Sequence, residues 1–101
     1  MHFDYRPRGV CARMINIELD ESRQTIESVN FVGGCPGNLA AISKLLAGMP
    51  VDRVVELLEG NTCDRRPTSC ADQLTRGLRA AQAAEGDVYL PAPVNVRSTS
   101  F

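Results

Sequence analysis

Two cysteines stand where irregular chain gives way to a helix, and this feature constrains the fold more than any other. In Thr-Ser-Cys-Ala-Asp-Gln-Leu (residues 68–74), Ser69 is suited to cap a helix and Asp72 completes a capping box, so Cys70 becomes the first helical residue. In Gly-Gly-Cys-Pro-Gly-Asn (residues 33–38), Pro36 is suited to a first helical position, which makes Cys35 the cap. Because the exposed N–H groups of a helix start favour a thiolate, the sequence predicts a lowered pKa for both sulfurs.

A strand hairpin is predicted in the first third of the chain. Apolar and polar residues alternate over residues 10–20 and 25–32, a pattern typical of half-buried strands, and residues 21–24 suit the connection between them. Cys11 is expected to share the apolar face with Ile15, Ile17 and Leu19. Residues 1–9 are polar and interrupted by proline, and they are interpreted as a lead-in with little periodicity.

Three amphipathic helices are predicted after the hairpin. Apolar residues recur at helical spacing from Leu39 to Leu46, from Val51 to Leu58 and from Leu74 to Ala81. The tail, residues 87–101, is predicted either to add an edge strand or to be disordered. These elements predict one α+β domain over residues 10–86, in which a small antiparallel sheet of two to three strands packs on one face against three helices. Because so small a sheet leaves strand edges open, pairing of edges into a homodimer is one expectation.

The composition narrows the class of protein. The chain has 101 residues, 44% of them apolar, with a net charge of −1, which suits a single modest core and gives no electrostatic footprint for nucleic acid. No apolar run approaches the roughly 20 residues that span a bilayer. The first residues lack the apolar core of a secretory signal, so we expect a cytoplasmic protein. Thiols stay reduced there, and a set of cysteines then indicates metal or redox chemistry before structural disulfides.

The four cysteines are the candidate site. Three of them, Cys11, Cys35 and Cys70, are expected at the apolar edge of a strand or at the head of a helical stripe, and Cys63 lies in a loop close to Cys70. Their convergence would suit a tetrahedral zinc site or an iron–sulfur cluster. The set contains no Cys-x-x-Cys pair, so the spacing leaves two further alternatives. Each cysteine can be a small buried hydrophobe, or Cys63 can resolve a redox-active Cys70.

Other motifs carry weaker signals. His2 is expected to be solvent-exposed, and the sequence offers no second histidine for a catalytic arrangement. Gly33 and Gly34 are interpreted as residues of a tight, closely packed turn, because the segment lacks the Gly-Lys-Ser/Thr of a phosphate-binding loop. Arg65 and Arg66 can hold an anion, although a solvated charged loop is the commoner case.

Several blocks of sequence together resemble the TSCPD domain family, and in particular its small stand-alone members with four cysteines. The resemblance covers residues 9–80, and its two long motifs are specific. In the motif that gives the family its name, Ala71 replaces a proline that would stand just inside the helix start. The matching blocks are Gly-Val-Cys (9–11), Phe-Val-Gly-Gly-Cys-Pro-Gly-Asn-Leu (31–39), Gly-Met (48–49), Leu-Glu-Gly (58–60), Thr-Cys (62–63) and Thr-Ser-Cys-Ala-Asp-Gln-Leu (68–74).

The resemblance implies a metal-binding accessory role around ribonucleotide reduction. Domains of this family occur at the C-terminus of cobalamin-dependent ribonucleotide reductases, and the family's suspected metal ligands match Cys11, Cys35, Cys63 and Cys70. Zinc is the expected metal and an iron–sulfur cluster the alternative, with a reductase or another protein as the expected partner. A chain of 101 residues cannot hold a radical-generating barrel and a nucleotide site, so no catalytic activity of its own is expected.

Overall fold

A computed structural model describes residues 1–34, 36–62 and 67–92, and it has the predicted α+β architecture. The three strands are β1 (His2–Tyr5), β2 (Ala12–Leu19) and β3 (Ile26–Gly33), and they form one antiparallel sheet in the order β1-β2-β3. The helices are α1 (Pro36–Leu46), α2 (Val51–Leu58) and α3 (Cys70–Ala83). The predicted hairpin and the three helices are confirmed. The sheet has three strands, the larger of the two predicted numbers.

β1 is an element that the sequence pattern does not predict. It spans four residues before Pro7, and four residues are too short to establish an alternating pattern. The strand is defined instead by its partner, because His2 to Tyr5 pair with Glu18 to Ile15 of β2. The backbone N–H of Leu19 continues this ladder by donating to the carbonyl of Met1 at 2.9 Å.

A shift in strand register moves Cys11 away from its predicted face. β2 and β3 pair with an irregularity between Ala12 and Met14, so the alternation seen from Ile15 onward does not extend to the start of β2. Ala12 is buried, at 3% exposure, and Cys11 is exposed. The prediction that Cys11 shares the apolar face with Ile15 is therefore wrong. The irregularity adds one residue to β2 between Ala12 and Met14, and this reverses the direction of the side chains that precede it.

The core lies between the helices and one face of the sheet. Gly77 lets α3 approach the sheet closely, since a Cβ there would lie 3.0 Å from the Tyr5 ring and 3.1 Å from Ile17 Cδ1. The predicted apolar stripes of all three helices supply the helical side of this core. Its buried members are Ile15, Ile17, Leu19, Ile26, Val29, Leu46, Val51, Val54, Val55, Leu74, Leu78 and Ala81.

The opposite face of the sheet carries a polar cluster around His2. The two ring nitrogens of His2 contact carboxylate oxygens of Glu18 and Asp4, and the ring stacks on Tyr89 with centroids 4.4 Å apart. The prediction of an exposed His2 is wrong, because its side chain is only 16% exposed. Burial alone would lower the pKa of His2, but the hydrogen bonds and charges of the two carboxylates outweigh it and raise the pKa.

The described part of the tail lies along β1. Val88 forms a single parallel bridge with Phe3, in which its N–H donates to the His2 carbonyl at 2.9 Å and its carbonyl accepts from the Asp4 N–H at 3.0 Å. Asp4 also accepts from the Leu90 N–H at 2.9 Å. The tail thus pairs at the sheet edge through one residue. Residues 93–101 lie outside the described range.

Candidate functional site

Two of the four cysteines meet at the junction of the sheet and α3. Cys70 is the first residue of α3 and is half-buried, and Cys11 directly precedes β2. The Cys70 thiol lies within hydrogen-bonding reach of the Cys11 thiol and of the backbone N–H groups of Cys11 and Ala12. Segments far apart in sequence therefore bring two sulfurs together, as expected for these two residues.

The surroundings of Cys70 reverse its predicted acidity. Burial raises the pKa of the Cys70 thiol and the neighbouring Cys11 thiol adds to this, together outweighing the hydrogen bond from the Ala12 N–H. The prediction of a lowered pKa from the position at a helix start is wrong for Cys70. The helix end is present, but the sulfur turns into a partly enclosed site beside a second thiol.

The start of α3 has the predicted cap but a different capping partner. The Ser69 hydroxyl accepts from the Asp72 N–H at 3.1 Å, as expected of an N-cap. The Asp72 carboxylate, in contrast, accepts from the Gly60 N–H at 2.7 Å and from the Thr68 hydroxyl. These two hydrogen bonds, led by that of Thr68, lower the pKa of Asp72. Asp72 therefore joins the end of α2 to the start of α3 instead of completing a local capping box.

The first turn of α3 also holds the segments that lead to two cysteines. The Ser69 hydroxyl donates to the carbonyl of Asn61 at 2.7 Å, two residues before Cys63 in sequence. Gln73 accepts the Arg8 N–H at 3.0 Å, three residues before Cys11. The sequence does not predict this role of Gln73. The feature that identifies this role is burial, because Gln73 is a polar residue at a helix start and is only 4% exposed. Burial is known only from the folded chain.

Gly34 allows the chain between β3 and α1 to pass close to the start of β2. Its φ is +81°, and a Cβ there would lie 2.7 Å from Leu39 Cδ1 and 3.3 Å from the backbone nitrogen of Ala12. A side chain would therefore be strained by the backbone conformation and would also press on the residue that follows Cys11. The interpretation of Gly34 as a residue of a tight, closely packed turn is confirmed.

A pocket of about 240 Å³ opens beside the two thiols. Besides Cys11 and Cys70, its wall includes Thr62, which directly precedes Cys63 in sequence, and Asn38, which follows Cys35 by three residues. Cys35 and Cys63 themselves lie outside the described residues, as do Arg65 and Arg66. Within residues 1–34, 36–62 and 67–92, no three or more His, Cys, Asp or Glu side chains are grouped so that they could hold a metal ion.

None of the helices in the described ranges is long and apolar enough to cross a membrane.

Comparison with known proteins gives one match. No curated protein and no solved structure matches the chain. The family model of the TSCPD domain matches residues 3–82, which include all but the first residue of β1 and all but the last residue of α3. The chain therefore belongs to the TSCPD domain family.

Proposed function

We propose that this protein is a metal-binding module in which Cys11, Cys35, Cys63 and Cys70 hold one zinc ion. The observation that carries the proposal is the contact of the Cys11 and Cys70 thiols at a pocket whose wall includes Thr62 and Asn38. A structural zinc site takes four thiolate or imidazole ligands in a tetrahedron. The described thiol pair suits half of that set, and the positions of Cys35 and Cys63 in sequence support the other half.

Two backbone donors beside Cys70 support its role as a thiolate ligand, although burial and the Cys11 thiol raise the pKa of the metal-free thiol. The N–H groups of Cys11 and Ala12 point towards its sulfur, and such donors stabilise negative charge on a metal-bound sulfur. The hydrogen bonds of Ser69 and Gln73 fix the segments that lead to Cys63 and Cys11. When bound, zinc would supply folding free energy, because the ligands come from separate segments and the unfolded chain has no formed site.

We further propose a cytoplasmic, non-enzymatic role as an accessory or interaction domain around ribonucleotide reduction. Support comes from the family, whose domains occur at the C-terminus of cobalamin-dependent reductases. The partner would be a reductase or another protein.

The contact between Cys11 and Cys70 also favours a second candidate, a thiol redox or iron–sulfur function. Adjacent thiols can form a disulfide by giving two electrons and two protons to glutathione disulfide, which becomes two glutathione molecules. The pair in contact is Cys11 with Cys70, whereas sequence proximity suggests Cys63 as the partner of Cys70. A cluster held by the same four thiolates would give a brown protein, and zinc a colourless one.

Elemental analysis of protein purified without added metal tests the proposal. We expect one zinc per chain, no visible absorption, and loss of the metal in Cys11→Ser and Cys70→Ser. Thr62→Ala is the matched control, since Thr62 lines the same pocket, is exposed and has no sulfur. Folded, metal-free protein with four reactive thiols would refute both the zinc and the cluster site. A Cys11–Cys70 disulfide in such protein would support the redox candidate.

A further inference from the structure

Among the residues that the structure describes, β3 forms an open edge of the sheet. In the strand order β1-β2-β3, no described strand pairs with the outer side of β3, and the α1–α2 connection covers only its first residue. At this residue, the Ile26 N–H donates to the Met49 carbonyl at 2.9 Å and the Ile26 carbonyl accepts from the Gly48 N–H at 2.7 Å. The remainder of the described edge is not covered in this way.

The register of the sheet shows which backbone groups of β3 are directed outward. The Leu19 N–H donates to the Met1 carbonyl on the β1 side of β2. Backbone N–H and C=O groups point to opposite sides at successive residues of a strand, so those of Ile17 and Ile15 also point towards β1. Their partners across the hairpin are Val29 and Phe31. The N–H and C=O groups of Val29 and Phe31 therefore point away from β2, where an additional strand would meet them.

A groove of about 460 Å³ runs between this edge and α1. Its wall is mainly apolar, with Phe31 on the strand side and Leu39 and Ala40 on the helix side. Lys44 is the charged residue of the wall, and no described carboxylate lies within ion-pair distance of it. The groove thus offers backbone partners, apolar surface and one cation side by side.

We propose that this groove binds an extended, acidic peptide segment of a partner protein as a fourth strand of the sheet. Backbone groups of Val29 and Phe31 bond the added strand, an apolar side chain of the peptide fills the groove, and a carboxylate of the peptide pairs with Lys44. Recognition of this kind combines main-chain hydrogen bonds, which give affinity, with a side-chain pocket, which gives specificity. The proposal is independent of the metal.

A second copy of this chain suits the groove less well than a peptide. In symmetric pairing of two β3 edges, the side chains on the α1 side of the second strand would be its own Val29 and Phe31. These already pack in or against the core of their own copy, so they cannot fill the groove. The second copy would also bring its own α1 to the same face of the continuous sheet.

Two substitutions in α1 test the surface with a matched control. Ala40→Arg places a long side chain in the groove, whereas Ala41→Arg places the same side chain on the same helix outside the lining residues. Both alanines are exposed, so neither change disturbs the core. The probe is a phage-displayed library of random peptides selected on the full chain, followed by fluorescence anisotropy with the enriched peptides.

We expect enriched peptides that alternate apolar with polar residues and contain an acidic residue. They should bind the wild type and Ala41→Arg equally, and Ala40→Arg at least about tenfold more weakly. Methylation of alternate backbone nitrogens of the peptide should weaken binding by about tenfold or more, since tenfold corresponds to about 1.4 kcal/mol, the size of a lost hydrogen bond. Lys44→Glu should shift the preference to basic peptides.

Three results would overturn the proposal. One is a selection that enriches no peptide on the wild type over Ala40→Arg. Another is binding that backbone methylation leaves unchanged, because the added strand requires the peptide's own N–H groups. The third is a dimer in sedimentation analysis that Ala40→Arg dissociates and Ala41→Arg does not, which would assign the groove to a second copy.

Discussion

Replacing Asp72 tests whether this buried carboxylate joins α2 to α3. Asp72 is 4% exposed and accepts hydrogen bonds from the Gly60 N–H at 2.7 Å and from the Thr68 hydroxyl. In Asp72→Ala both donors lose their acceptor. The Thr68 hydroxyl is buried, and a buried donor left unsatisfied costs about 1–3 kcal/mol. Gly60 is exposed, so its N–H can bond to water and loses only about 1 kcal/mol. We therefore expect a loss of about 2–4 kcal/mol in unfolding free energy.

Two further variants separate the sources of this loss. Asp72→Asn keeps the shape and one acceptor oxygen but removes the charge, so about 1–2 kcal/mol should be lost. Arg76→Ala removes an ion pair of 3.7 Å whose arginine is 62% exposed, and such a pair contributes less than about 1 kcal/mol.

The pH dependence has a definite sign. The hydrogen bonds from Thr68 and Gly60 hold the pKa of Asp72 below its ordinary value of 3.8. Its contribution is therefore present above pH 3.8 and is lost as pH falls through the lower pKa of the folded state. Asp72→Asn should lose this part of the acid dependence.

Urea denaturation at matched pH and metal content measures these differences. An Asp72→Ala variant no less stable than Arg76→Ala would refute the reasoning, because the carboxylate would then contribute only through its exposed ion pair.

The polar cluster and the glycines of the site give two further predictions. Since its carboxylate partners raise the pKa of His2 above 6.5, the contribution of this residue to stability is complete below that value and is lost as pH rises through the folded-state pKa. Urea denaturation on either side of that pH should show this decline in the wild type and not in His2→Gln, and an equal decline in both proteins would contradict it. Gly34→Ala should destabilise by on the order of 1–2 kcal/mol because of its positive φ and close contacts. Gly37→Ala should stabilise the protein by up to about 1 kcal/mol, because Gly37 lies in α1 and no atom lies within 4 Å of the added Cβ. Thermal midpoints of the two glycine variants that shift in the same direction would refute this distinction.

The features that could be predicted from the sequence are those that neighbouring residues determine. The Ser69 cap, the helix start at Pro36 and the apolar stripes depend on residues a few positions apart. The start of β2 could not be predicted, because its register follows from the pairing with β3. The partners of Asp72 and Gln73 also come from distant segments, and the raised pKa of Cys70 requires burial that only the folded chain supplies.

For the candidate site, the cysteines and the two helix starts could be predicted from the sequence. The contact of Cys11 with Cys70 agrees with the predicted convergence, although the reason given for Cys11 was wrong. It reaches Cys70 from an exposed position before β2 and not from the apolar face of the strand. The zinc ion, the cluster and the ribonucleotide reductase partner stay predictions.

The hydrogen bonds at the start of α3 make one helical turn a shared unit of local opening. Ser69 holds Asn61, Asp72 holds Gly60 and Gln73 holds Arg8, so two otherwise unconnected segments depend on the same few residues. Native proteins open in cooperative units whose free energies lie below that of global unfolding. Fraying of this single turn would free Arg8, Gly60 and Asn61 together, so hydrogen exchange at the Arg8 and Gly60 N–H groups would rise and fall in step.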